Sequence, residues 1–232
     1  VTAPVTAPAG ASVRALGKVI LLGEHAVVHG HPALAGAIDR GVRLTATDGP
    51  LRLRIASWGV DVAAGDDHPV ARALAAVAAA LGVTRGALDG DADLPAAAGL
   101  GSSAATTVAV ARALAALAGT APSLDALADA ANAGERCFHG NPSGVDVALA
   151  LRGGLGVYRR GAGLAPLAAA PLPLVVGLSG EPRSTAAMVA RVAEALAAAP
   201  ARAGDQLASL GAAATEGAAI VTSAAPDLAR LG

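Results

Sequence analysis

Aromatic side chains are nearly missing from this chain: Phe, Tyr and Trp occur once each in 232 residues. Alanine, valine and leucine supply most of the apolar content instead, which reaches 54% with Ile, Met, Cys and the three aromatic residues counted. That is ample for a core. Cysteine occurs once, which excludes an internal disulfide framework and fits a reducing compartment. Long apolar runs are missing too. Stretches such as "ARALAAVAAALG" are charge-flanked and fall short of the roughly 18 residues that a membrane-spanning helix needs. The formal net charge is −1 and no basic cluster stands out, so nucleic acid is not an expected partner. The opening "VTAPVTAPAGAS" lacks the basic and hydrophobic blocks of a secretion signal and reads as a flexible arm. These absences predict a soluble, cytoplasmic protein with no membrane partner.

The pattern of what is present predicts an α+β fold. Residues 14–22 read as a buried strand ended by Gly23, residues 33–47 as further strand, and 51–57 as a half-exposed strand. A helix is expected over 68–81, with Pro69 in its first turn and Gly82 at its stop. A strand, a glycine-rich loop and a helix from about Ser103 to Leu117 follow. Ser123 caps a third helix reaching about Cys137. "FHGNPSG" reads as a loop, "GGLGVYRR" and "LPLVVGLSG" as strands, 184–198 as a helix, and the last thirty or so residues as helical. Strands and helices do not alternate as regular βαβ units, which favours α+β. The predicted organisation is an arm over 1–12, one domain over 13–160 and a partial second domain over 161–232.

Three constellations have chemical potential. "PAAAGLGSSAA" sets Gly99, Gly101, Ser102 and Ser103 between a strand and an apolar helix. Glycines let backbone approach a bulky anion, the helix start favours negative charge, and hydroxyls suit phosphate or magnesium. The pattern is neither a Walker A loop nor a dinucleotide fingerprint, and it also suits a capped helix with a flexible entry. "ERCFHGNPSGVDVA" separates Glu135 from Asp146 by a turn-rich loop that could bring one acid to a cation and the other to a proton. The alternative is a surface Glu135 beside Arg136 and an Asp146 that caps the next segment. In "GKVILLGEHAVVHGH", ionisable residues interrupt an apolar run. Lys18 there reads either as a stabiliser of transition-state charge or as a snorkelling surface lysine. His25, His29 and His31 lack the partners of a zinc site. Together, an anion loop, two acids and a lysine describe phosphoryl transfer.

The same stretches resemble a known family. "LPAAAGLGSSAA" is similar to the motif shared by the GHMP small-molecule kinases. "GKVILLGEHAVVHGHPALA", "HGNPSGVD" and "GEPRSTAAMVARV" resemble, in order, segments of the mevalonate kinase family within it. The resemblance implies a two-domain α+β fold: an N-terminal domain like ribosomal protein S5 domain 2 and a ferredoxin-like C-terminal domain, here incomplete. It implies ATP and Mg2+ as cofactors and mevalonate as substrate, phosphorylated on its C5 hydroxyl. By the same resemblance, Asp146 is the base and Lys18 sits by the reacting oxygen and γ-phosphate. Pro95, Gly99, Leu100, Gly101, Ser102, Ser103 and Ala104 hold the ATP phosphates, and Ser103 with Glu135 holds magnesium. Glu24, His25, Arg183 and Thr185 bind the acceptor. With so few aromatic rings, adenine would be read by backbone and aliphatic contacts. A homodimer is also implied, although no residue pattern marks its interface. Two departures stand out. Val147 replaces the family's usual Asn after the catalytic Asp, and a third glycine-rich motif is not found in these residues. Other readings are therefore a related kinase for another small alcohol, or a nucleotide-binding protein without catalysis.

Overall fold

The computed structural model describes residues 10, 12–139, 143–179 and 185–231, with the side chains of 185–187 outside that description. Strand β1 (Ser12–Leu22) runs antiparallel to the long β2 (Ala33–Thr47), joined through a 3-10 turn over Ala26–His29. β3 (Arg52–Ile55) and β4 (Val60–Ala63) form a hairpin, and α1 (Pro69–Ala80) leads to β5 (Ala87–Ala92). Three helices follow: α2 (Ser102–Leu117), α3 (Leu124–Glu135) and α4 (Val145–Arg152). β6 (Leu155–Arg159) and β7 (Gly163–Pro166) return to the sheet before α5 (Thr185–Ala198), α6 (Pro200–Val221) and the short α7 (Leu228–Leu231). The sheet runs β4-β3-β5-β2-β6-β7, with β1 on the other edge of β2. Only β3 and β5 are parallel, so the sheet is mixed and the fold is α+β, as the sequence predicts.

Local chemistry explains these boundaries. His68 caps α1, its Nδ1 accepting the Val70 amide at 3.2 Å, with Pro69 in the first turn. Ser123 does the same for α3, accepting from the Ala126 amide at 3.1 Å. Residues 33–36 show the period-two rule directly: Ala33 and Ala35 pack with Val145, Leu149 and Tyr158, while Leu34 packs with Ala214 and Val221 of α6. Thus α4 and α6 cover opposite faces of the same strand.

The main core lies between the sheet and α1–α3, around Leu44, Leu53, Ile55, Leu74, Val77, Val108 and Leu114. Helix α2 is buried on nearly every side from Ala104 to Ala111. Its small residues account for this, because a helix with thin side chains can sit between a sheet and two other helices. Gly134 makes a close approach between these helices. A methyl group there would lie 2.7 Å from Thr107 Cγ2 and 2.8 Å from Val77 Cγ2.

One predicted element is corrected. The segment "LPLVVGLSG" reads as a strand in the sequence, yet its described residues, 172–179, take no regular structure. Leu174, Val175, Val176 and Leu178 are exposed. β-branched composition suits a strand, but a strand needs a neighbour to bond with, and none of the described strands pairs with this segment. β7, which lies beyond position 160, pairs with β6 and extends the first sheet.

Gly134→Ala is expected to destabilise the protein by about 1–3 kcal/mol through overpacking, despite alanine's better helix propensity. Urea unfolding should show a lower midpoint with an unchanged slope. A midpoint at or above that of the wild type would mean that α3 can retreat from α2 at no cost.

Candidate active site

The site is assembled on the free edge of β1. There the Lys18 amide donates to the Leu100 carbonyl at 2.9 Å, fastening the glycine-rich loop to the strand. Lys18 Nζ then reaches the Gly99 carbonyl at 3.2 Å and Asp146 Oδ2 at 3.5 Å. Only 12% of the lysine side chain is exposed, which rules out the snorkelling surface reading. The contact is close enough to dictate glycine. Gly101 sits at φ +74°, and a methyl group there would meet Lys18 Cγ at 2.8 Å. Lys18 is also the only lysine of the chain; the other sixteen of its seventeen Lys and Arg residues are arginines.

The loop itself is held from within. Leu100 is buried as an apolar anchor, and Ser102 Oγ accepts the Ala97 amide at 3.2 Å. Ala97 has φ +56°, a left-handed conformation that glycine would adopt without strain. Pro95 is exposed at the loop's start and Ala104 is buried in the first turn of α2. Gly101 is the N-cap of α2 and supplies no side-chain acceptor, so the helix presents its first amides and dipole without a cap. Sixteen residues of aligned peptide dipoles behind a glycine loop favour an anion at that end.

Behind the loop, Ser103 Oγ donates to Glu135 Oε2 at 3.1 Å. Glu135 is 1% exposed, so the surface alternative fails for it as well. Its other oxygen, Oε1, is buried without a hydrogen-bond partner. Burial is the main cause that pushes the Glu135 carboxyl up to about 7. Nearby Asp146 adds to the rise, while the Ser103 hydroxyl and Lys18 oppose it. A buried carboxylate oxygen without a partner, next to a hydroxyl, fits a hard divalent cation that draws its remaining ligands from phosphate and water.

Asp146 lies in the first turn of α4, half-buried, as its apolar neighbours imply. Two residues that the sequence reading did not single out flank this centre. Tyr158, on β6, donates its hydroxyl to the Ser143 carbonyl at 2.5 Å and packs on Gly144, the N-cap of α4. Its being the sole tyrosine was the available signal. His139 Nε2 lies 3.5 Å from Ser103 Oγ; it opens the "HGNPSGVD" segment, and that position was the available signal.

The predicted acceptor residues are less concentrated. His25 has φ +60°, a strained conformation for a non-glycine residue, and lines a cavity of about 1130 Å3 together with Met188, Arg191, Val192 and Arg202 from α5 and α6. Glu24 beside it is exposed. Thr185 opens α5, but its side chain lies outside the described residues, as does Arg183 altogether.

Several known proteins are similar to this chain. Residues 68–154 match the GHMP kinases N terminal domain. A mevalonate kinase of Aeropyrum pernix is 38% identical over 65% of this chain and 51% of its own length. A mevalonate kinase of Bos taurus is 30% identical over 88% of this chain and 67% of its own. The crystal structure of L. major mevalonate kinase in complex with R-mevalonate superposes with a TM-score of 0.77 at 28% identity, covering 100% of this chain and 74% of that one. The fold and the glycine-rich loop are those of the GHMP kinases, and the chain belongs to that family. Within it, these three similar proteins are all mevalonate kinases. The chain spans about half the length of the Aeropyrum relative.

The burial of Glu135 has a measurable consequence. The folded protein holds its proton more tightly than the unfolded chain does, from an ordinary value of 4.5 to about 7. Its contribution to stability is therefore full below about pH 4.5 and is lost as the pH rises to about 7. Glu135→Gln, measured without divalent cation, should remove this fall and be more stable than the wild type at pH 8 by about 1–3 kcal/mol. Identical stability–pH slopes for the two proteins would contradict the buried, unpaired carboxyl.

Proposed function

We propose that the chain transfers the γ-phosphoryl group of ATP to the C5 hydroxyl of mevalonate. The observation carrying this reading is the meeting of Lys18 with Asp146 and the Gly99 carbonyl beside the uncapped start of α2. The three similar proteins described above are mevalonate kinases, and the structure of one is a complex with R-mevalonate.

In this mechanism the loop from Pro95 to Ala104 wraps the triphosphate, with the α2 amides and dipole taking up its charge. Asp146 accepts the acceptor's hydroxyl proton as the new oxygen–phosphorus bond forms and the bond to the β–γ bridging oxygen breaks, releasing ADP. Lys18, close to the same carboxylate, stabilises charge spreading over the transferring group. Ser103 and Glu135 would hold a magnesium ion, which supplies charge neutralisation to the phosphates. His25 and Glu24 hold the acceptor, with Arg183 and Thr185 at its carboxylate. Domains over 13–160 and 161–232 frame the cleft; the predicted arm over 1–12 lies almost wholly outside the described residues. The working location is the cytoplasm, with a homodimer as the assembled form.

An ammonium suits this site better than a guanidinium. Lys18 threads past Gly101 and ends as a compact charge between two oxygens, a geometry that suits a point charge more than a wide planar fork. Lys18→Arg is expected to lower kcat by about a hundredfold or more, since oxyanion-type stabilisation is lost although charge is kept. An arginine variant within tenfold of wild type would show that charge alone suffices.

ADP release by the 232-residue chain with magnesium-ATP and a panel of alcohols tests the reading directly. Turnover should require mevalonate and drop by about two to four orders of magnitude in Asp146→Asn, with ATP affinity little changed. Turnover with another alcohol instead would keep the kinase and change its substrate. ATP binding without turnover on any alcohol would favour a nucleotide-binding role.

A further inference from the structure

Arg112 is the one charged side chain in the sixteen-residue α2. It is half-buried, and no carboxylate within ion-pair distance accompanies it among the described residues. Burial holds its guanidinium below the usual arginine range. A desolvated cation without a counter-ion is costly, so its two hydrogen bonds need an explanation. Nη1 donates to the Arg14 carbonyl on the free edge of β1, and Nη2 donates to the Leu151 carbonyl at 2.6 Å in the last turn of α4. Those two elements carry the reacting pair: Lys18 lies four residues along β1 from Arg14, and Asp146 lies in the first turn of α4.

We propose that Arg112 is a positioning residue that sets the separation of Lys18 and Asp146 by clamping β1 to the C-terminal end of α4; the proposal rests on the phosphotransfer reading. Three features support it. The guanidinium's fork reaches two carbonyls on different elements at once, which no other side chain does as rigidly. The α4 carbonyl end is the negative end of that helix's dipole, where a cation is favourable. Tyr158 holds the opposite end of α4 through the Ser143 carbonyl, so the helix is fixed at both ends and Asp146 has little room to drift. The 3.5 Å between Lys18 Nζ and Asp146 Oδ2 is the distance that this clamp sets.

The test uses the whole chain made with isotope-labelled lysine. Because Lys18 is the sole lysine, its ammonium gives a single assignable signal. For Arg112→Met, kcat should fall about tenfold to a hundredfold, the loss expected from a displacement of about an ångström. The KM values for magnesium-ATP and acceptor should change by less than about threefold, and the Lys18 signal should shift or broaden. Arg112→Lys keeps the charge but not the fork, so it should fall between wild type and Arg112→Met in both readouts. It also serves as the test variant if Arg112→Met does not fold. An unmoved Lys18 signal in a folded variant overturns the proposal whatever kcat does. So does a kcat within about twofold of an active wild type. A wild type without turnover fails the phosphotransfer reading instead, and the Lys18 signal then decides the positioning role by itself.

Discussion

The structure turns on the hydrogen bond from the Lys18 amide to the Leu100 carbonyl. β1 bonds on one side only, to β2, and an open strand edge is a liability unless something covers it. Here the cover is the glycine-rich loop. Satisfying the edge thus also brings the loop over Lys18, directs the start of α2 into the cleft and leaves the ammonium facing Asp146. A single backbone requirement has both a structural and a chemical result. Gly101 is the adjustment that makes it sterically feasible.

Stability and chemistry pull in opposite directions at Glu135. A carboxyl that is buried with an unpartnered oxygen weakens the folded state near neutral pH. The same orphaned oxygen suits a cation that arrives with its own ligands. Gly134, directly before it, lets α3 press against α2 so that the acid reaches Ser103. The alanine-rich core belongs to the same solution, because thin helices can pack closely enough to bring an acid on α3 to a hydroxyl on α2.

Basic residues divide by task. Arginine serves wherever a fork can grip carboxylates or carbonyls: Arg52 on Asp61, Arg85 on Asp48, and Arg112 between β1 and α4. Lysine appears once, at the position where a narrow stem must pass a loop and end as a point charge. In a chain so strongly biased towards arginine, that exception marks the site as clearly as the glycine loop does.

The sequence by itself determined the local elements and the chemical inventory. Period-two and helical patterns, Pro69, Ser123 and the glycines placed β1, β2, α1, α2 and α3 within a few residues, because caps and turns act over short range. The motifs also named Lys18, Ser103, Glu135 and Asp146. Only the tertiary structure decided that Glu135 is buried, that Lys18 stands 3.5 Å from Asp146, and that Tyr158 and Arg112 pin α4. It also decided that residues 172–179, apolar and β-branched, form no strand. Burial, ion pairing and strand pairing are relations between segments far apart in the chain, and a residue's own neighbours do not encode which distant partner it meets.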